Sequence, residues 1–275
     1  MTAPVTEHWI TVQGLELLVE DQGTGPVVLL AHGMWCDAGM FAALVRELSR
    51  DHRVLVPDLR GHGRSTVPDR QWQIADLAAD LGAILDALSV PKVLLAGFSM
   101  GGMAAAEFAL RYPGRLTGLA FMGTSAASEE WLRIAEIRAL ARLIKLAGRP
   151  KFLGHEAART TFSPAFRRDH PEEVARWVHT VHAMSRTALI HALNAVGSRP
   201  SLLERLEGLE VPTVILTGKA DKVMSPKWSQ AMARRLPRAR LAAWEGAGHA
   251  IPMERPVEVA AWLRGLERGR FPGDG

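Results

Sequence analysis

The chain has one cysteine, Cys36. No intramolecular disulfide and no cysteine-based zinc site can form from it. Long apolar runs are missing as well. The longest, Pro26 to Ala31 among them, reach about six residues, where a membrane-spanning helix needs about twenty. The first residues, Met1 to His8, have neither a basic start nor an apolar core, so they do not read as a secretory signal. A cytoplasmic location and no membrane partner are the expectation. A one-sided charge is also absent. Lys and Arg number 33 against 29 Asp and Glu, leaving +4, and the signs are interspersed, as in Arg133-Ile-Ala-Glu136-Ile-Arg138. A nucleic-acid partner calls for a basic stripe, and the sequence offers none. Repeats and low-complexity tracts are absent too.

What is present is an ordinary globular composition, 48% hydrophobic and 23% charged over 275 residues. A chain this long buries roughly three quarters of its unfolded surface, so it folds without a metal or cross-link. Short apolar, β-branched runs alternate with longer helical patterns, the rhythm of βαβ units around a mostly parallel sheet. Ile10 to Gln13 and Leu15 to Glu20 read as a hairpin turned at Gly14. Val27 to Ala31, His52 to Pro57, Lys92 to Phe98, Leu116 to Met122, Pro212 to Thr217 and Arg240 to Trp244 read as further strands. Helices are expected from an Asp37 cap to about Arg50, along the Ile74 to Leu88 stripe, over Met100 to Tyr112, over Ser225 to Leu236 and from Pro256 onward. The tail from Arg268 to Gly275 is polar and Gly-rich and is expected to fray.

The alternation breaks near Ala126. From there to Pro200 only helical patterns occur, one capped by Ser128 and stopped at Gly148-Arg149-Pro150, another starting at Asp169-His-Pro171. Trp131, Phe152, Phe162, Trp177 and Met184 supply apolar faces. The predicted organisation is therefore a core over 1–125 and 201–275, interrupted by a helical cap over 126–200.

The chemistry begins at Gly97-Phe98-Ser99-Met100-Gly101, between a buried strand and a helix. A serine on that turn sits on a strained backbone with its hydroxyl above the sheet edge, and the two glycines remove side chains that would collide. The next helix directs its positive end at charge developing beside Ser99. A hydroxyl needs a base, and His249, in Gly246-Ala-Gly-His249 after the last strand, suits that role. The histidine needs a carboxylate to fix its tautomer, and Asp221, soon after the strand ending at Thr217, supplies one. All three lie at carboxyl ends of strands, where open α/β sheets bind ligands. Backbone N–H groups of Met100 and of Met34, in His32-Gly33-Met34-Trp35, are the candidate oxyanion donors, each worth about 3–4 kcal/mol of barrier. Trp35 and Met103 are the candidate pocket residues, being close in sequence to these.

On His32-Gly33, Asp58-Leu-Arg60-Gly61-His-Gly63-Arg-Ser65, Gly97-Phe-Ser-Met-Gly-Gly102, Gly218-Lys-Ala-Asp221 and Gly248-His249, the chain resembles the α/β-hydrolase superfamily along nearly its whole length. The resemblance implies an eight-stranded sheet with helices on both faces, a helical cap after the sixth strand, and no cofactor. It sets Asp58, Arg60 and His62 as scaffolding. The serine at 99 departs from the aspartate of dehalogenases and epoxide hydrolases. Trp35 departs from the proline of haloperoxidases and perhydrolases, and Met34-Trp35-Cys36 from the Gly-Pro-Gly of C–C hydrolases. Gly61 to Met103 is similar to 3-oxoadipate enol-lactonases, which tend to carry Asn-Ser at His32-Gly33.

The expectation is a cofactor-independent serine hydrolase of small apolar esters or lactones, a monomer or homodimer. A C–C (β-diketone) hydrolase, a perhydrolase or haloperoxidase, and a non-catalytic small-molecule receptor are the alternatives. Cys36 reads as a small buried thiol. His179, His182 and His191 lack the carboxylate that would complete a ligand set, so no metal is expected.

Overall fold

The computed structural model describes residues 4–150 and 152–274. One eight-stranded sheet organises the chain, in the order β1-β2-β4-β3-β5-β6-β7-β8. The strands are β1 (Val5–Val12), β2 (Leu15–Gln22), β3 (Val27–Ala31), β4 (Arg53–Pro57), β5 (Val93–Phe98), β6 (Leu116–Met122), β7 (Thr213–Gly218) and β8 (Ala239–Trp244). β2 runs antiparallel to both its neighbours, and the remaining pairings are parallel. The hairpin strands are longer than the sequence suggests. Gln13 and Gly14 both take positive φ, 51° and 80°, as a two-residue turn between twisted strands requires.

The core lies on both faces of the sheet. Along β5 every residue is buried. Val93 and Leu95 face one hydrophobic cluster, and Leu94, Ala96 and Phe98 the other, the period of two that a strand imposes. That double covering explains why β5 reads as an unbroken apolar run. α1 (Ala42–Leu48), α2 (Ile74–Ala87) and α3 (Met100–Arg111) are the crossover helices of the first half. Leu77, Leu81 and Phe108 of α2 and α3 pack on the first cluster, and Leu44 and Leu48 of α1 on the second. The segment between β6 and β7 is helical: α4 (Trp131–Ala147), α5 (Leu153–Thr161), α6 (Pro164–Asp169), α7 (Pro171–Ala183) and α8 (Arg186–Ser198). α9 (Pro226–Arg235), α10 (Ile251–Glu254) and α11 (Pro256–Arg268) complete the chain.

Four local expectations need correction. Asp37 caps a short 3₁₀ turn, Ala38–Phe41, by accepting from Gly39 N at 3.0 Å, and α1 begins only after it. Ser128 caps nothing. The N-cap is Glu130, whose extended backbone (φ −66°, ψ 148°) precedes the first helical residue, Trp131. Just before it, buried Arg199 donates to the Ala127 carbonyl at 2.9 Å and to Glu129 Oε1 at 2.8 Å, and Leu202 N to the Ala126 carbonyl at 2.8 Å. Asp169 ends α6, and α7 starts at Pro171 with Glu172 and Glu173 in its first turn. The tail is docked rather than frayed over its described part. Phe271 packs on Trp262 with ring centroids 5.3 Å apart, and Arg240 reaches Asp274 at 2.5 Å. Gly275 lies outside the described residues, as do Met1, Thr2 and Ala3 of the N-terminal reading.

Candidate active site

Ser99 sits between β5 and α3 with φ 49° and ψ −114°. A non-glycine residue there costs about 1–3 kcal/mol and persists only where its surroundings hold it. They do. Its N–H donates to the Met122 carbonyl at 2.9 Å, and its own carbonyl accepts from Gly102 N at 2.9 Å, Met103 N at 3.1 Å and Thr124 Oγ1 at 2.7 Å. The glycines of the motif leave room for this turn. A Cβ at Gly97 would stand 2.4 Å from the Gly101 carbonyl oxygen, and one at Gly101 would stand 2.1 Å from that of Ala31.

The His32–Trp35 loop comes after β3 and lies against the same turn. A Cβ on Gly33 would meet the Phe98 ring at 2.8 Å and Ser99 Cβ at 3.2 Å. His32 braces this loop. Its Nδ1 lies 2.8 Å from the Gly33 carbonyl, and its Nε2 accepts from Leu59 N at 3.0 Å. That pair of bonds needs a neutral ring protonated at Nδ1, and burial lowers the His32 pKa to about 4. Trp35 takes φ 65°. Neither the Met34 nor the Met100 amide has a hydrogen-bond partner among the described residues. Such donors are free for a ligand.

Asp221, after β7, is buried. Its Oδ1 accepts from Val223 N and Met224 N, both at 2.8 Å. Oδ2 is left for His249 Nδ1, also at 2.8 Å. With Nδ1 engaged, Nε2 is the ring nitrogen left available. The His249 loop is anchored twice to the helical segment. The Thr161 carbonyl accepts from His249 N at 2.8 Å, and the Glu254 carboxylate accepts from Gly248 N and Ser163 N, each at 3.0 Å. Phe98 stacks obliquely on the imidazole with centroids 4.8 Å apart.

Ser99, His249, Met34, Met100, Trp35 and Met103 all border one cavity of about 310 Å³. Asp221 stands behind His249 and does not line it. From the helical segment Ile137, Leu140, Leu153, Trp177, Leu193 and Val196 give the facing wall most of its apolar surface, and Glu129, Arg133, Glu136, Glu156, Thr160 and Thr161 border it as well. Cys36 joins that wall and accepts from Trp177 Nε1 at 3.3 Å; burial pushes its thiol pKa up to about 12, so it stays protonated and inert. Of the residues expected to supply apolar faces, Trp177 lines the cavity, Phe162 and Met184 are buried, and Trp131 and Phe152 are exposed.

Asp58 accepts from Ala38 N at 2.8 Å and Arg64 N at 2.9 Å, and Arg60 forms a buried two-pronged pair with Asp80 at 2.6 and 2.5 Å. Both are away from the cavity. Among the described residues no three His, Cys, Asp or Glu side chains converge as a metal site needs.

Thr124, Thr161 and Glu254 escape a reading of the sequence. The Thr161 carbonyl accepts from His249 N and Ala250 N, 88 and 89 positions away, and Glu254 from Ser163 N, 91 positions away. Only the acid's place six residues after Gly248, next to the His249 loop, hints at its role.

Residues 28–262 match the family model described as the alpha/beta hydrolase family. The chain belongs to that family, which supports hydrolase activity. A thermophilic esterase from Thermogutta terrifontis is 32% identical with a TM-score of 0.87, covering 96% of this chain and 100% of that one. A hydrolase from Pseudomonas aeruginosa is 26% identical with a TM-score of 0.88, covering 96% and 98%. The 3-oxoadipate enol-lactonase 2 of Acinetobacter baylyi is 25% identical over 241 residues, 86% of each chain. No helix among the described residues is long and apolar enough to cross a membrane.

Proposed function

We propose that the protein is a cofactor-independent serine hydrolase of small, apolar carboxylic esters or lactones. The single observation that carries this reading is the 2.8 Å contact between Asp221 Oδ2 and His249 Nδ1, on a ring that borders the same cavity as Ser99. His249 Nε2 takes the Ser99 hydroxyl proton as Oγ bonds to the ester carbonyl carbon. The C=O electron pair moves onto oxygen, and the amides of Met34 and Met100 donate to that oxyanion. Its collapse breaks the C–O bond, and the imidazolium gives its proton to the leaving alcohol. Water, giving a proton to His249, then attacks the acyl carbon; collapse of the second oxyanion breaks the bond to Ser99 Oγ, which takes that proton back from the imidazolium as the acid leaves. Asp221 holds the tautomer and offsets the imidazolium charge throughout.

The apolar side chains of the facing wall, Ile137, Leu140, Leu193 and Val196 among them, support an apolar acyl or alcohol group. In this reading α4 to α8 serve as the cap (126–200) on a core of 1–125 and 201–275, with Trp35 and Met103 shaping the pocket, in a cytoplasmic monomer or homodimer. Ser99→Ala is expected to lower turnover of p-nitrophenyl acetate by about three orders of magnitude or more. Undiminished turnover in that variant would overturn the proposal.

A further inference from the structure

Helix α4 has two apolar faces. Ile137, Ala141 and Ile144 are buried on the inner one. On the opposite side Leu132, Ala135, Ala139, Leu143 and Leu146 recur at steps of three or four, the spacing that aligns residues along one helix stripe. All five are exposed, Leu146 at 85%. Trp131, the first residue of α4, is 74% exposed, and Phe152, just before α5, is 63% exposed. A contiguous exposed apolar strip of this kind marks a binding surface.

Along one edge of the stripe run Arg138, Arg142 and Lys145, again at helical spacing and all exposed. Among the described residues none of the three has a carboxylate within ion-pair distance, whereas Arg133 pairs with Glu136 at 3.0 Å. The cations therefore stand beside the apolar stripe rather than opposite it, and they are uncompensated.

We propose that this outer face of α4 docks on an anionic lipid surface, lying in the headgroup plane. The stripe enters the acyl boundary, Trp131 and Phe152 sit at the interface, and the basic edge meets the phosphates. Charge decides against a second copy of the chain. An antiparallel two-fold pairing of α4 sets the Arg138–Arg142–Lys145 edge against itself, three cations facing three. The expectation of no membrane partner rests on the lack of a long apolar run. A surface helix needs no run, only a period. The proposal is independent of the chemistry at Ser99.

Flotation of the full chain with phosphatidylglycerol-rich vesicles and with pure phosphatidylcholine vesicles tests it. Binding to the anionic vesicles is expected to be about tenfold or more the stronger, and to weaken with salt. L143D/L146D is expected to lose about tenfold or more of that binding while keeping its unfolding temperature. R138Q/R142Q/K145Q, which retains the apolar stripe, is expected to bind both vesicles alike. Absent or equal binding of the wild type to the two vesicles would contradict the proposal, as would binding that neither variant changes. So would a solution dimer that L143D/L146D dissociates and that excludes vesicle binding.

Discussion

His249 Nδ1 and Asp221 Oδ2 stand 2.8 Å apart with their side chains 5% and 0% exposed. Because Oδ1 of the same carboxylate already accepts two backbone amides, only Oδ2 is left to take the Nδ1 proton. In Asp221→Asn the carbonyl stays with those amides, and the NH₂ group meets Nδ1. That forces the proton to Nε2, the wrong tautomer for a base. Under the proposed mechanism kcat for p-nitrophenyl acetate falls by about three to four orders of magnitude, with KM little changed. Steady-state kinetics check this.

Glu254 joins the His249 loop to the helical segment through Gly248 N and Ser163 N. Glu254→Ala leaves both amides unpaired and is expected to cost about 2–3 kcal/mol of stability. Glu254→Gln keeps a single accepting oxygen and is expected to cost about half of that. Urea unfolding of the two variants measures the difference. Equal stabilities for wild type and Glu254→Ala would rule out the clamp.

Much of this arrangement is legible in the sequence, for a physical reason. Strands buried on both faces, such as Val27–Ala31 and Val93–Phe98, must be continuous apolar runs, and the parallel strands end at one common edge of the sheet. Residues 99, 221 and 249 stand soon after the ends of such strands, so their convergence can be anticipated. Contacts that link distant segments through one polar atom leave no periodic trace. Glu254 to Ser163 is one, and Arg199 to Ala127, close before the start of α4, is another. The apolar faces of the helical segment are visible in the sequence, but which face is inner is not. Trp131 and Trp177 carry the same side chain. One is exposed, and the other borders the cavity.

Acid should weaken the fold through two histidines. Burial lowers the pKa of His32 to about 4, and burial beside His32 lowers that of His62 to about 3. An unfolded histidine titrates near pH 6.5. Below that value the unfolded chain binds protons the folded one refuses, so stability is fully present above about pH 6.5 and is lost as pH falls toward 4 and then 3. Each ring contributes a slope of about 1.4 kcal/mol per pH unit. His62→Gln is expected to shed one histidine's share of that slope. Denaturant unfolding of both proteins between pH 7 and about 4.5 measures it. Parallel curves would contradict the assignment.

The proposed chemistry requires that His249 activate the Ser99 hydroxyl for attack. Treatment of the native protein with a fluorophosphonate, and then peptide mass spectrometry, tests it most directly. One phosphonyl adduct is expected, on Ser99, formed quickly in the wild type, slowly in Asp221→Asn and not at all in Ser99→Ala. An unlabelled Ser99 in the wild type, or an adduct formed on another residue, contradicts it.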